Sequence, residues 1–391
     1  MGETEDPTFV PDSFWAAITA TDDAIQDPYP HFRSLGDQAA ACSHAAASLA
    51  LRDHRFAVVT IGDDRPLWRA FNRWLIMRDP PEHTALRRLI SRAFTKSAVD
   101  AYRPFVEQTV AALLDDLVPR KSMDFLMDFA FRLPTAVISE LMQLSAASRN
   151  GLDQLLIDLD LAFVRQNDEA FLARGDQAMT ELLDRMDVEL QARRAKPGDD
   201  LLSRLVAGED DDNDADITHD DLVANAVLLL QAGHDTTMNT LTSGVYTLLK
   251  QPDEFARLRS DPSLVPTAVE EFLRYNSAIG IAPRLARADV DLPTGPVRAG
   301  SSIPFFLGAV NRDPTVFAEP DRFDVARTPN PHLAFAAGVH LCAGAPLARL
   351  ELQVALAAVI DRLPDLRLAA EPRWTGVVPF RGLNELLVEW N

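Results

Sequence analysis

One cysteine, Cys342, stands in a short loop of small residues directly before an apolar stretch with helical periodicity. The surrounding segment reads HLAFAAGVHLCAGAPLAR over residues 332–349, and the chain has only one other cysteine, Cys42. Gly338 and Gly344, on either side of Cys342, allow backbone angles that bring N–H groups close to the sulfur. A helix beginning near Pro346 would direct its positive end at the same atom. Both effects favour the deprotonated thiol, and the pattern therefore predicts a chemical role for Cys342.

Four roles are open to this cysteine. A buried structural thiol needs no further residues. A nucleophile needs a histidine base and an orienting Asn or Asp, and although His340 lies two residues away, the rest of a triad pattern is missing. Zinc needs further ligands at short spacing, which this sequence lacks. A thiolate ligand to haem iron needs one cysteine alone, and the residue pattern favours this role.

A second unusual stretch lies in the middle of a long predicted helix over residues 219–250. Thr218 is expected to cap its start, with Asp221 as the partner in a capping box. The centre of this helix reads QAGHDTT, where glycine is unfavourable and threonine hydroxyls compete for backbone carbonyls. The pattern predicts a local opening that hosts a ligand or water. The alternative is an ordinary uninterrupted helix.

The overall composition restricts the function classes. The 391 residues carry a formal net charge of −20, which argues against a nucleic-acid-binding protein, because such proteins need a basic face. The sequence shows no apolar run long enough to span a bilayer and no secretory signal. We therefore expect a cytoplasmic protein with no membrane or nucleic-acid partner. The acidic run at 208–221 is expected to be a solvated loop.

Helical periodicity dominates the chain and strand patterns are fewer, which predicts a mostly α fold with a minor β portion. No compositional break divides the sequence, so we expect a single domain over residues 1–391. The predicted helices cover residues 97–117, 145–163, 167–193, 219–250, 264–275 and 343–362. The predicted strands cluster at 56–61, at 285–310 and near the C-terminus.

The cysteine loop resembles the haem-binding loop of the cytochrome P450 family. The segment FAAGVHLCAG matches that loop at Phe335, Gly338, Cys342 and Gly344. Two positions depart from the family pattern: Ala336 stands where glycine is usual, and Ala343 stands where a larger aliphatic residue is common. The first departure concerns the backbone angles at the start of the loop, and neither removes a ligand.

Further segments resemble other parts of the same family, in the same order along nearly the whole chain. QAGHDTT is similar to the oxygen-activating motif, and EEFLR matches the family's ExxR motif. The other similar segments are RDPPEHTALRRLISRAF (78–94), NRDPTVFAEPDRFDVAR (311–327), LRDHRFA (51–57) and DPYPHFRSLG near the N-terminus. The resemblance implies a P450-like fold, with haem buried between the long central helix and the cysteine loop.

The resemblance also implies roles for individual residues. Cys342 would be the axial ligand of haem b (iron protoporphyrin IX), and Asp235 and Thr236 would deliver protons to bound O2. His234 would pack away from the haem. Glu271 and Arg274 would form a buried structural pair. The set implied to bind the haem propionates is His83, Arg87, Arg284 and His340, and Ala232 and Gly233 would lie beside the haem.

Two further surfaces are expected to bind partners. Arg88, Arg92 and Lys96 would dock an acidic ferredoxin, itself served by its reductase; the alternative is an ordinary solvated face. Residues 58–77 contain Arg65, Trp68, Arg69, Arg73 and Trp74, which would contact a substrate that is anionic or bound to a carrier. The alternative is that these arginines pair with nearby acids. Other segments expected to line the substrate site are 159–172, 276–283 and 375–382.

The function implied is a monooxygenase that hydroxylates or epoxidises a small organic substrate, in secondary metabolism. It would use O2 and electrons from NAD(P)H, relayed by the ferredoxin. The alternative within haem-thiolate chemistry is oxidative coupling or peroxide-driven oxidation without oxygen insertion. A gas-binding haem module and a cysteine hydrolase are more distant alternatives. An intact Asp235–Thr236 pair favours the O2-dependent reaction.

Overall fold

Helices dominate the architecture of the protein. The computed structural model describes residues 18–19, 21–36, 40–62, 64–207 and 217–391; most of the acidic run, 208–216, lies outside them. The α-helices of these residues are α1 (Asp22–Gln26), α2 (Tyr29–Ser34), α3 (His44–Ala50), α4 (Pro66–Phe71), α5 (Glu82–Ser91), α6 (Lys96–Leu117), α7 (Arg132–Leu141), α8 (Ala146–Arg149), α9 (Leu152–Val164), α10 (Glu169–Ala195), α11 (Leu201–Ala207), α12 (His219–Leu249), α13 (Pro252–Ser260), α14 (Val265–Tyr275), α15 (Leu307–Val310) and α16 (Ala345–Arg362). The mostly α prediction is thereby confirmed.

The strands are short and pair antiparallel. They are β1 (Phe56–Ala57), β2 (Ser122–Asp124), β3 (Ile281–Ala286), β4 (Val290–Leu292), β5 (Gly295–Val297), β6 (Ser302–Phe306), β7 (Arg367–Leu368) and β8 (Leu387–Glu389). Among the described residues they form sheets in the orders β1-β3-β6 and β2-β8-β7, with β4-β5 as a separate hairpin. In the first sheet, Phe56 pairs with Ala286 and Arg284 pairs with Ile303.

The long helix α12 forms the centre of the core. Its start carries the predicted capping box, in which the Thr218 and Asp221 side chains each accept a backbone hydrogen bond. The helix runs unbroken to Leu249, so the predicted local opening at QAGHDTT is wrong for this structure. The physical reason is visible at Thr236, whose hydroxyl donates to the Ala232 carbonyl at 2.9 Å and is satisfied within the helix.

Several predicted element boundaries also need correction. The stretch 145–163 was expected to be one helix, but Gly151 adopts a left-handed conformation with φ +66° and separates α8 from α9. The strand expected at 56–61 contains only two residues, 56 and 57. The region 285–310 contains strands but ends in the short helix α15. Periodicity located these segments but did not resolve where each one stops.

Two apolar clusters support the fold. The larger one joins α12 to the helices around it, including α6, α7, α10, α14 and α16. The smaller one packs the N-terminal helices on the β1-β3-β6 sheet, with Phe32 stacked on Phe306 at 5.2 Å between ring centroids. Among the described residues, no helix combines the length and the apolar character that crossing a membrane requires.

Candidate active site

The loop before α16 holds the Cys342 side chain among backbone donors. The Cys342 N–H donates to the Phe335 carbonyl at 3.0 Å, which closes the loop. The backbone N–H groups of Gly344 and Ala345 donate to the sulfur from the start of α16. These amides lower the thiol pKa, but burial outweighs them and raises it overall. The backbone amides thus act in the direction that the sequence predicted, and a metal ion at the sulfur would complete the deprotonation.

Two residues of the loop adopt left-handed backbone angles. Gly338 has φ +70°, and a Cβ at this position would lie 2.2 Å from the Leu51 carbonyl oxygen, so only glycine fits. Ala336 has φ +55°, a conformation that favours glycine. The positive φ explains why glycine is usual at position 336. Ala336 adopts the same backbone conformation with strain.

A cavity of about 370 Å³ borders the Cys342 side chain, and its wall combines apolar rings with guanidinium groups. Its lining includes Phe94, Phe335, Arg87 and Arg349. The Arg349 guanidinium lies 4.6 Å from the centre of the Phe335 ring. A thiol that opens onto such a space is accessible to a flat, apolar group with anionic substituents.

A cluster of basic side chains lies beside the cysteine loop. The rings of His83 and His340 are 4.3 Å apart between centroids. Burial and the Arg87 charge lower the pKa of His83 to about 4, while burial, His83, Arg284 and Arg87 lower the pKa of His340 to about 3. Burial also lowers the pKa of Arg284 to about 10.

This basic cluster fits an anion. Burial and mutual repulsion disfavour the charged forms, and the nearby Asp79 partly counteracts this for His83 and Arg284. The buried Nε2 atom of His83 has no hydrogen-bond partner among the described residues. Carboxylate groups placed here would relieve both conditions. The structure thus brings together all four residues predicted to hold the haem propionates, in an environment that suits them.

The middle of α12 is open along one stripe, although most of the helix is buried. Ala232 is exposed, and Gly233 and Thr236 are half-buried, whereas the neighbouring His234 and Asp235 are buried. Most of the other α12 side chains from Asp221 to Leu248 are buried, so this stripe is the accessible part of the middle of the helix. Small residues at this face leave room for a large planar group.

The comparisons with known proteins agree with one another. The family model for cytochrome P450 matches residues 135–364. The biotin biosynthesis cytochrome P450 of Bacillus subtilis (strain 168) is 35% identical over 344 residues, covering 86% of each chain. The cytochrome P450 monooxygenase PikC of Streptomyces venezuelae is 36% identical over 391 residues, covering 94% of this chain and 92% of its own.

Structural similarity leads to the same family. The crystal structure of P450BioI in complex with an acyl carrier protein ligated to hexadec-9Z-enoic acid matches with a TM-score of 0.87. The sequence identity is 32%, and the match covers 94% of this chain and 100% of that chain. This chain belongs to the cytochrome P450 family. The family is a haem-thiolate family, and this P450 is an oxidoreductase of the monooxygenase class, as the sequence predicted.

The ExxR pair of this P450 is fully buried. Both Glu271 and Arg274 have side chains at 0% exposure, and they are joined by hydrogen bonds of 2.7 and 2.8 Å. The Arg327 guanidinium contacts the same carboxylate at 3.1 Å, and Arg274 donates to the Asn311 and Pro320 carbonyls. The pair therefore fixes α14 to the segment 311–327.

Two of the arginines expected to contact substrate are occupied by acids of this P450. Arg65 contacts Glu169 at 2.8 Å and Asp176 at 3.0 Å. Arg73 contacts Asp221 at 2.9 Å, next to the start of α12. Their charges are neutralised by acids of neighbouring helices, which is the alternative that the sequence left open for these arginines. Arg69 remains exposed.

The two tryptophans of the same segment are buried in an aromatic cluster. Trp68 and Trp74 pack around Phe71 and Phe163, with centroids 4.9–5.8 Å apart. Phe380 contacts Phe163 from the C-terminal region at 5.8 Å. The structure thus brings together residues from three segments predicted to line the substrate site. Their contacts with one another are mainly between aromatic rings.

The residues predicted to dock a redox partner differ in their surroundings. Arg88 is exposed, and Lys96 contacts Asp100 at 2.8 Å. The side chain of Arg92 lies outside the described part of the structure. Val339 and Leu341 are exposed apolar residues of the cysteine loop, and Leu341 lines the same cavity as Arg87 and Ser91 of α5.

Sequence reasoning missed a second polar link that fixes the cysteine loop. Glu270 on α14 accepts hydrogen bonds from Arg349 on α16 at 2.7 and 2.8 Å, and its Oε2 lies 3.0 Å from His332 Nε2. Burial raises the Glu270 pKa, but these hydrogen bonds outweigh burial and lower the pKa to about 2. The signal was present in the sequence, since Glu270 directly precedes Glu271, but its partners lie more than 60 residues away.

Proposed function

We propose that this P450 is a haem b monooxygenase that hydroxylates or epoxidises a small, largely apolar organic substrate in secondary metabolism. The observation that supports it most directly is a single cysteine sulfur receiving two backbone N–H groups at the start of α16. The basic cluster beside it suits the propionates, and the small-residue stripe on α12 suits the haem face. When bound, the haem would supply oxygen activation at its iron, with the thiolate favouring O–O cleavage.

Each residue of this site has a defined task in the proposal. Cys342 would hold the haem iron, and the backbone N–H groups of Gly344 and Ala345 would stabilise the negative charge of its sulfur. His83, Arg87, Arg284 and His340 bind the propionates. Asp235 stores a proton, because burial and the nearby Asp160 charge raise its pKa well above the ordinary value. The Thr236 hydroxyl, on the open stripe, would pass that proton from Asp235 to the accessible side of the helix, where the haem would supply oxygen activation.

The electrons would come from NAD(P)H through a ferredoxin and its reductase. The exposed Arg88 and the apolar Val339 and Leu341 would form part of the surface that meets the ferredoxin. A polar rim around an apolar centre is the usual composition of such an interface.

The substrate is proposed to be an apolar acyl-type molecule, presented by a carrier protein. Neutralisation of Arg65 and Arg73 removes the main feature that favoured a small free anion. The relative P450BioI has been crystallised with a fatty-acyl carrier protein, and its structure matches over nearly the whole of this chain. A spectral titration of the holoenzyme with hexadecenoic acid, free and bound to acyl carrier protein, tests this. Tighter binding of the carrier-bound form is expected, and equal affinity would contradict the carrier.

The proton-delivery role is tested with Thr236→Ala. We expect this variant to retain haem and consume NADPH, but to release most of the electrons as peroxide, lowering product per NADPH about tenfold or more. Thr242→Ala is the matched control, because Thr242 is buried on the same helix with its hydroxyl bonded to the Met238 carbonyl. Coupling in Thr236→Ala equal to that of the control would contradict the assignment.

A further inference from the structure

Three buried polar atoms on the central helix have no hydrogen-bond partner among the described residues. They are Oε1 of Gln231, Nε2 of His234 and Oδ2 of Asp235. The three side chains are 2%, 0% and 3% exposed. Each unsatisfied buried polar group costs about 1–3 kcal/mol unless an ordered water binds it. Three such atoms within one helical turn and a half therefore mark a place that favours internal water.

Asp160 on α9 contacts two of these three side chains, Gln231 and His234. Its carboxylate accepts a hydrogen bond from the Gln231 side-chain amide, and its Oδ2 lies 3.5 Å from His234 Nε2. Its side chain is 16% exposed, so it contacts solvent as well as the buried atoms. Asp160 is thus a carboxylate with one side towards water and the other towards the middle of α12.

The hydrogen bonds of His234 fix the orientation of its ring. The Thr135 hydroxyl donates to the Phe131 carbonyl at 2.8 Å, which leaves its oxygen to accept from His234 Nδ1–H at 2.9 Å. In the neutral ring, Nε2 is then an acceptor that faces the Asp160 carboxylate. Two acceptors in this arrangement are satisfied by a proton or by a water between them.

Among the described residues, few charged groups act on the Asp235 carboxyl. Its Oδ1 accepts from the Asn239 amide at 2.7 Å, and the charge that acts on it most, after burial, is that of Asp160. On its own helix the titratable neighbour is His234, and the neutral Thr135 of α7 contacts the His234 ring. Asp158, the other acid on this side of α9, is paired with Arg174. Among these groups, Asp160 is the acid that is both partly exposed and close enough to act on Asp235.

We propose that Asp160 is the solvent-side end of a hydrated proton path that reaches Asp235 between the side chains of Gln231 and His234. This inference rests on the proposed function, because it supplies the protons that Asp235 delivers. Each time Asp235 gives up a proton inward, a proton moves from Asp160 through the bound water to Asp235, and Asp160 takes one from solvent. In this proposal Asp160 acts through Asp235, so it is a positioning residue.

The test follows exchange of the Asp235 carboxyl proton with deuterium by infrared spectroscopy, in resting ferric holoenzyme without substrate. The band of the protonated carboxyl is identified by its loss in Asp235→Asn. On transfer to D2O, we expect the band of wild-type protein to shift rapidly, and that of Asp160→Asn to shift at least about tenfold more slowly. Asp160→Glu should restore fast exchange, and Asp153→Asn, an exposed acid on the same helix, should exchange as wild type does.

Unchanged exchange in Asp160→Asn would overturn the path, as would the absence of a protonated Asp235 band in wild type. If Asp160→Asn does not fold, exchange of the Asp235 proton is measured in Gln231→Leu instead. This variant removes the amide that lines the path but leaves the Asp160 carboxylate, and slower exchange than in wild type is expected. These readouts need no turnover. Holoenzyme with the spectrum of a thiolate ligand but unchanged exchange would refute this path alone, whereas loss of the thiolate spectrum in wild type would refute the proposed function.

Discussion

At the scale of single residues, Ala336 shows how a small departure from a family pattern is accommodated. Its φ of +55° lies in the left-handed region, where the Cβ is crowded by the following carbonyl oxygen. Its N–H still donates to the Leu333 carbonyl at 2.8 Å, so the turn is formed in spite of the strain. The loop around Cys342 therefore keeps its shape at a cost in stability.

We predict that Ala336→Gly stabilises the protein. Glycine removes about 1–2 kcal/mol of left-handed strain and returns about 0.4–1 kcal/mol through the greater freedom of the unfolded chain, so the expected gain is about 0.5–1 kcal/mol. Thermal unfolding of the holoenzyme measures it. Ala337→Gly is the control, because its φ of −157° is ordinary and glycine there should destabilise. A lower melting temperature for Ala336→Gly would contradict the strain at this position.

At the scale of elements, α14 holds the cysteine loop through two adjacent acids with different partners. Glu270 reaches α16 and His332, whereas Glu271 reaches Arg274 and the segment 311–327. Neighbouring side chains on a helix point about 100° apart, so two consecutive acids can fix two different segments. The position of Cys342 thus depends on α14 as well as on its own loop.

The Glu270 link predicts a defined pH dependence of stability. The pKa of Glu270 is lowered from 4.5 to about 2 in the folded protein, so the unfolded chain binds more protons between these values. Its contribution is complete above about pH 4.5 and is lost as the pH falls towards 2. We expect Glu270→Gln to lower the free energy of unfolding by about 2–3 kcal/mol at pH 7, and by progressively less below pH 4.5.

Denaturant unfolding at a series of pH values measures this dependence. The control is Glu107→Gln, which affects an exposed pair with Arg103 on α6 and should change stability by less than about 0.5 kcal/mol. A deficit in Glu270→Gln that stays constant down to pH 3 would show that the carboxylate charge is not what stabilises the link.

The Glu271–Arg274 pair predicts a larger effect. Removing one partner leaves a buried, uncompensated charge, which costs about 3–5 kcal/mol. We therefore expect Glu271→Gln to yield little folded holoenzyme, measured as haem per protein after expression. Glu319→Gln is the matched control, because Glu319 and Arg322 have the same i, i+3 spacing but are 70% and 55% exposed. Normal haem content in Glu271→Gln would mean that the pair is not needed for the fold.

At the scale of the whole molecule, local patterns and distant contacts were predictable to different degrees. The capping box at Thr218 and the helix after Cys342 follow from residues adjacent in sequence, and both predictions are confirmed. The neutralisation of Arg65 depends on residues more than 100 positions away, and no local pattern contains it. The meeting of Asp160 with α12 has the same cause.

The family resemblance supplied part of what local patterns lack. It predicted that His83, Arg87, Arg284 and His340 would come together, although they are up to 257 positions apart, and the structure places their charges within mutual influence. It did not predict the unbroken geometry of α12, because the hydroxyl bond from Thr236 to Ala232 is one of two arrangements open to the same sequence.

Because the molecule as a whole is strongly negative, the exposed Arg88 is a candidate for docking an acidic ferredoxin. With a net charge of −20, the chain would repel an acidic ferredoxin except where cations are concentrated. We expect Arg88→Glu to raise the KM for ferredoxin about tenfold at low salt, with haem content unchanged, and the difference to shrink as salt is added. Arg120→Glu, exposed at the far end of α6, should have no such effect. A salt-independent loss would contradict electrostatic docking.

The central claim is that the Cys342 sulfur binds haem iron as a thiolate. The most direct measurement is the absorption spectrum of the reduced holoenzyme with carbon monoxide, for wild type and Cys342→Ala. We expect the long-wavelength Soret band of a thiolate-ligated haem in wild type and its complete loss in Cys342→Ala. A wild-type Soret band at the shorter wavelength of a neutral ligand, or the same spectrum in both proteins, would contradict it.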